Sequence, residues 1–142
     1  MAITFHAEGV RNPLADRRAL KAFLKAQVLA QKPHLRRIAL TYVFMTDDAL
    51  LAVNQQFLNH DTYTDIITFP LVNTDEVLES EIYISTDRVA ENATAYGQSF
   101  TRELHRVIFH GTLHLCGLRD KTKAEQAAMR AAEEAWLAAY GI

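Results

Sequence analysis

Apolar residues in this chain recur at two spacings, and the switches between them set out its elements. Residues 2–7 read as a short strand. Pro13 suits the first turn of a helix. Beyond it Leu20, Phe23, Leu24 and Val28 fall three or four apart and form one stripe, largely flanked by Arg17, Arg18, Lys21 and Lys25. This pattern predicts a helix to about Gln31, with Pro33 closing the segment. Ile38, Leu40, Tyr42 and Phe44 then return to the two-residue period of a strand. Thr46, Asp47 and Asp48 supply an N-cap for a short helix to about Phe57. The β-branched and aromatic run from Asp65 to Phe69 predicts a short strand ended by Pro70, which limits its pairing. Glu81 to Ser85 predicts another strand, with Ile82 and Ile84 facing one way and Tyr83 the other. Helices are expected from Asp87 to Tyr96, closed at Gly97, then from about Ser99 to Cys116, and from Thr122 to Tyr140. The last opens on Thr122-Lys123-Ala124-Glu125, a capping-box pattern.

The order of these elements predicts an α+β fold: a small mixed β-sheet of about four strands covered by about five helices. There is no internal repeat and no long linker. At 142 residues the chain fits a single domain spanning residues 1–142.

Composition narrows the setting. No apolar run approaches the length needed to cross a bilayer, so no membrane partner is expected. The start, M-A-I-T-F-H-A-E, lacks the basic residues and apolar core of a signal peptide. The single cysteine, Cys116, has no internal disulfide partner. Together these predict a cytoplasmic protein. The net charge of −2 argues against strong unspecific binding to nucleic acid. Its distribution is uneven: residues 1–39 hold eight Lys or Arg against two acids, and residues 40–92 hold Arg88 alone against ten acids. A basic helix face is most often simply solvated, so this polarity is only supporting evidence for an anionic partner.

The chemistry concentrates in F-H-G-T-L-H-L-C-G-L-R-D-K, residues 109–121. His110 and His114 stand four apart, on one face of a helix and one turn from each other. Gly117 can stop that helix in a left-handed turn, and the chain can fold back to bring Asp120 to the same place. Two imidazoles and one carboxylate, with a fourth position left for water, is how catalytic zinc sites are built. The spacing thus gives a zincin-like metal-binding helix with His110, His114 and Asp120 as ligands of one Zn²⁺ ion. The bland alternatives are packed, hydrogen-bonded histidines and an Asp120 that serves as a turn residue or a cap for the next helix. Cys116, on a different helix face from the pair, reads as a small buried hydrophobe. His105, five residues before His110, is off that face as well. Trp136 and Tyr140 read as packing residues rather than a base-stacking platform. The pattern H-E-x-x-H carries a general base beside its first histidine; here that position is Gly111, so a peptidase mechanism that uses such a glutamate is unavailable.

These residues carry a resemblance. His110-Gly111-Thr112-Leu113-His114-Leu115-Cys116-Gly117-Leu118-Arg119-Asp120 is similar to the H-G-x-L-H-L-x-G-Y-D-H signature of the YbeY family of metal-dependent endoribonucleases and rRNA maturation factors. A second family block, N-x-x-[YF]-R-x-x-D-x-x-T-D-V-L-S-F-P, resembles the run from Asn54 to Pro70, and a weaker third resembles Ser80-Glu81-Ile82-Tyr83-Ile84-Ser85. Three departures stand out. The family's last motif histidine is Asp120 here, which gives the site more negative charge. The family's Tyr-Asp pair is Leu118-Arg119. A family arginine linked to activity is Leu58, so its cationic role is lost or passes elsewhere; Arg119, Lys121 and Lys123, close in sequence to Asp120, are candidates, and solvated loop and helix-start charges are the equal alternative.

The resemblance implies a single-strand-specific, zinc-dependent endoribonuclease that processes ribosomal RNA, with RNA and the ribosome as partners. Bound zinc lowers the pKa of water to about 7 and polarises phosphoryl oxygens. Asp65 and Glu81 are possible general bases, although an acid near the start of a strand is more often structural. The alternative is a non-catalytic, ribosome-associated maturation factor whose metal is structural. A structural site is normally closed by four protein ligands, with His60 or His105 the only further histidines in question.

Overall fold

The computed structural model describes residues 1–60 and 62–142. Asp61, which belongs to the second family block, lies outside the described residues. Along the chain the elements are β1 (Ala2–Ala7), α1 (Arg17–Gln31), β2 (Arg37–Met45), α2 (Asp47–Leu58), β3 (Ile66–Asn73), β4 (Val77–Ser85), α3 (Thr86–Ala95), α4 (Phe100–Leu115) and α5 (Lys123–Tyr140). The four strands form one sheet in the order β1-β2-β4-β3. β1 and β4 run parallel to β2, and β3 runs antiparallel to β4. This is the α+β architecture with a mixed sheet that the pattern predicts.

Three boundaries differ from the sequence expectation: β4 begins at Val77 rather than Glu81, since residues 77–80 continue the pairing with Arg37–Leu40 of β2, and α1 and β3 differ as well. Helix α1 begins at Arg17, not near Pro13, because Asp16 is the N-cap and its side chain accepts the Ala19 N–H. Strand β3 does not end at Pro70 but runs on to Asn73. It lies at the edge of the sheet, where a missing N–H is tolerated, and its pairing with β4 shifts register between Pro70 and Val72.

Strand alternation sends Ile3, Phe5, Ile38, Leu40, Tyr42, Phe44, Leu78, Ile82 and Ile84 to one face of the sheet. There they share a core with Leu20, Leu24 and Val28 of α1, Leu104, Val107 and Ile108 of α4, and Met129 and Leu137 of α5. A smaller cluster on the other face joins Val43, Met45 and Ile67 to Leu50 of α2.

Helix α4 is the element that carries the histidine pair, and two features hold it against the sheet. Gly111 sits so close that a Cβ there would lie 2.6 Å from Ile66 Cδ1 and 3.5 Å from Ile82 Cγ2. One residue on, Thr112 donates its hydroxyl to the Ile108 carbonyl at 2.8 Å, so the buried Tyr42 hydroxyl donates to Thr112 Oγ1 at 2.5 Å. Burial pushes the Tyr42 pKa well above its ordinary value, so the phenol keeps that proton.

Candidate metal centre

The three ligands expected from the sequence come together. Atoms of His110, His114 and Asp120 that can bind a metal all lie within 4.8 Å of one another. Asp120 Oδ2 is 3.3 Å from His110 Nε2 and 3.5 Å from His114 Nε2. Bonds of about 2.0–2.1 Å at tetrahedral angles put neighbouring ligand atoms about 3.3 Å apart, so these separations suit one small cation.

Local sequence explains the convergence. Helix α4 ends in a glycine stop: Gly117 has φ +107°, its N–H donates to the His114 carbonyl, and the Leu118 N–H donates to the Leu113 carbonyl. This pair of bonds is a Schellman turn. The chain reverses and Asp120 returns over the last turn of α4. Helix α5 then starts at a capping box between Thr122 and Glu125. Thr122, not Asp120, therefore caps that helix, and the Asp120 carboxylate stays available. The C-terminal end of α4 also presents the negative end of the helix dipole to the site.

Both imidazoles are oriented through Nδ1. His110 Nδ1 lies 2.6 Å from Glu133 Oε2, and His114 Nδ1 lies 2.8 Å from the Leu118 carbonyl oxygen. Each acceptor has no proton to give, so each Nδ1 carries the hydrogen, and a neutral ring so held has its lone pair on Nε2, on Asp120's side. The donor set thus fits a zinc ion: two aimed imidazole nitrogens and one carboxylate oxygen.

Behind His110 stands a buried ionic cluster that sequence reasoning missed. Glu133, 2% exposed, also accepts from Arg106 Nη1 at 3.0 Å, and Arg106 makes a two-pronged contact with the buried Glu103. Burial disfavours the charged imidazole of His110, but the hydrogen bond and charge of Glu133, aided by Asp120 and Asp65, outweigh it and raise its pKa. Burial likewise disfavours ionised Glu133, and its bonds to His110 and Arg106 more than compensate and lower its pKa. One sequence signal points there: Met129, Glu133 and Leu137 recur every four residues, so Glu133 shares the buried stripe of α5.

The other candidates are placed as follows. Burial raises the pKa of Asp65, against the opposing charges of His110 and Arg106. Glu81 points to the other face of the sheet, where it accepts the Tyr83 hydroxyl and lines a groove with Val53, Phe57, Phe69 and Leu71. Arg119, Lys121 and Lys123 are exposed. The guanidinium groups that do line the cavity of about 200 Å³ beside His110 and Asp120 are Arg106 and Arg130, along with Tyr96, Gln126, Met129 and Glu133. Leu58 lines a different depression, with Asn54, His60, Thr62, Thr64 and Thr68. Among the described residues neither Cys116 nor His60 joins the three candidate ligands. The Cys116 thiol is half-buried, and burial pushes its pKa up to about 11. His105 is also outside the group, bonded to the Thr101 carbonyl at 2.6 Å and stacked on Tyr140. Trp136 and Tyr140 pack with Phe23 and Phe109.

Fold and site together describe an α+β protein with a candidate single-metal centre at the end of a histidine helix. The model of the family described as Endoribonuclease YbeY matches residues 9–141, and the chain belongs to that family. An Endoribonuclease YbeY of Bacteroides thetaiotaomicron is 42% identical over 138 residues, covering 97% of this chain and 98% of that one. Its counterpart in Porphyromonas gingivalis is 46% identical over 133 residues, covering 93% and 85%. A Thermotoga maritima protein with a known solution structure is similar in fold, with a TM-score of 0.62, 26% identity, and coverage of 98% of this chain and 91% of that one.

Proposed function

We propose that this chain is a zinc-dependent endoribonuclease that cleaves single-stranded ribosomal RNA and serves ribosome maturation in the cytoplasm, with His110, His114 and Asp120 holding one Zn²⁺ ion. The observation that carries this reading is the convergence of two imidazoles, each oriented through Nδ1, on one carboxylate oxygen. The names of the relatives support RNA as the substrate. Residues 1–142 act as one unit in this reading, since Ile3 near one end and Leu137 near the other share a core.

The residues divide the work simply. His110 and His114 offer Nε2, and Asp120 offers one oxygen. Glu133 accepts the His110 Nδ1–H and fixes the ring, while Arg106 holds Glu133 in place. Arg130 faces the cavity where an anionic substrate would lie. Zinc, when bound, supplies Lewis acidity and an acidified water. A closed structural site would need four protein ligands. Among the described residues three side chains converge, which supports the reactive reading over a structural metal. Replacing His114 by Ala tests the proposal. Loss of both bound zinc and RNA cleavage is expected, and unchanged metal content in that variant would remove the site.

A further inference from the structure

Helix α3 ends beside the candidate metal centre, and its last turn presents an aromatic ring. Tyr96 is the C-cap of that helix. Its N–H is held by the Asn92 carbonyl at 2.9 Å, and Gly97 follows with φ +64°. The backbone is therefore fixed while the side chain is turned out, leaving the residue 58% exposed. This contrasts with Trp136 and Tyr140, which pack with Phe23 and Phe109.

Tyr96 lines the cavity that contains His110 and Asp120. It also lines a neighbouring cavity of about 410 Å³ with Gln98 and Arg102. Tyr96, Arg106 and Arg130 are common to both linings, so the two cavities adjoin along a trough that runs from the candidate metal ligands past the Tyr96 ring. The three arginines along it are not equivalent. Arg106 is spent on Glu103 and Glu133, and Arg102 is bonded to Glu134 at 2.8 Å and to Gln98 at 3.2 Å. Among the described residues Arg130 makes one loose ion pair, 3.8 Å from Glu133 Oε1, and its charge is felt by Glu134, with its side chain 57% exposed. Its guanidinium is free to turn toward a ligand in the trough.

Resting on the reading of this chain as an RNA-cleaving enzyme, we propose that Tyr96 and Arg130 form a nucleotide subsite beside the metal centre. The Tyr96 ring stacks on an unpaired base and the Arg130 guanidinium meets an adjoining phosphate. Every base has a π-face, so such a platform accepts any sequence. It does require a base that is free of its neighbours, which a single strand supplies and a duplex withholds. Positioning next to the ligands then comes from stacking and one ion pair rather than from base-edge hydrogen bonds.

The test uses a fluorescently labelled, unstructured oligoribonucleotide of about ten nucleotides. Its affinity for the full chain is read by anisotropy with metal removed, so that no cleavage intervenes, and KM and kcat are read with zinc restored. Tyr96→Leu is expected to weaken binding about five- to hundredfold. It should raise KM more than it lowers kcat and leave zinc content unchanged. Tyr96→Trp is expected to restore affinity to within about twofold, because the π-face returns. Arg130→Gln is expected to weaken binding and to reduce the salt dependence by about one phosphate contact. Wild-type affinity in Tyr96→Leu, or an equal loss in Tyr96→Trp, would overturn the subsite while leaving the enzyme reading intact. Failure of the unaltered protein to bind or cleave RNA would remove both.

Discussion

Replacing Glu133 by glutamine probes how the metal centre is built. The carboxylate uses one oxygen for His110 Nδ1 at 2.6 Å and the other for Arg106 Nη1 at 3.0 Å. Glutamine keeps the shape but has only one acceptor atom. With its oxygen toward Arg106, its NH₂ faces His110 and drives the ring proton to Nε2, which removes a zinc donor. With its oxygen toward His110, its NH₂ faces the Arg106 cation. Loss of such a supporting partner costs about ten- to hundredfold in metal affinity, or about 1.4–2.7 kcal/mol. Arg106 keeps its two-pronged contact with Glu103. The metal-free protein should therefore lose about 1.5–3 kcal/mol, the worth of a charged hydrogen bond, and not the larger penalty of a stranded buried ion. Competition with a chromophoric chelator gives the zinc affinity, ring nitrogen shifts report the His110 tautomer, and thermal melts give the stability. The pH dependence has a definite sign. His110 has a raised pKa, so its contribution is complete below its ordinary value of 6.5 and fades as pH climbs through the raised one. Glu133 has a lowered pKa, so its contribution is complete above its ordinary value of 4.5 and fades as pH falls through the lowered one. The stability gap between wild type and variant should be widest between these two values and should narrow toward higher pH. Zinc affinity within twofold of wild type, with His110 nitrogen shifts unchanged, would show that Glu133 does not set the His110 tautomer.

Two further substitutions bear on the same helix. Gly111→Glu, which creates an H-E-x-x-H pattern, sets a Cβ 2.6 Å from Ile66 Cδ1, a side-chain end that can shift, and forces a carboxylate into the seam between helix and sheet, where burial of the charge carries most of the cost. It should cost at least about 3 kcal/mol, a fall of about 10 °C in melting temperature, and should yield no casein hydrolysis; a stable variant would show that the seam is loose. Asp120→Ala should weaken zinc binding by more than the roughly hundredfold of a lost supporting partner, whereas Asp120→His should retain the metal, both read as zinc content after gel filtration; retention by the alanine variant would take Asp120 out of the ligand set.

What the sequence made legible was local. The spacing of His110 and His114, the Gly117 stop and the return to Asp120 all lie within eleven residues, and short-range helix geometry decides them. The capping box of α5 was equally local. What stayed hidden depends on contacts between distant segments. Glu133 reaches His110 across twenty-three positions, and only its place in the Met129–Leu137 stripe betrays it. The extension of β3 past Pro70 follows from its position at the sheet edge, which no pattern within β3 encodes. Proximity in sequence also misled: Arg119, Lys121 and Lys123 flank Asp120 yet are exposed, while Arg106 and Arg130 line the cavity from two helices. Glu81 was separable by strand alternation, since its neighbour Ile82 faces α4.

In the proposed function two imidazoles and one carboxylate hold a single zinc ion with a position left for solvent. Crystals grown with zinc and measured across the zinc absorption edge test it most directly. One anomalous peak is expected about 2.0–2.2 Å from His110 Nε2, His114 Nε2 and an Asp120 oxygen, with water in the fourth place. A peak ligated by a fourth side chain, or no peak between the imidazoles with Asp120 turned away, would contradict it.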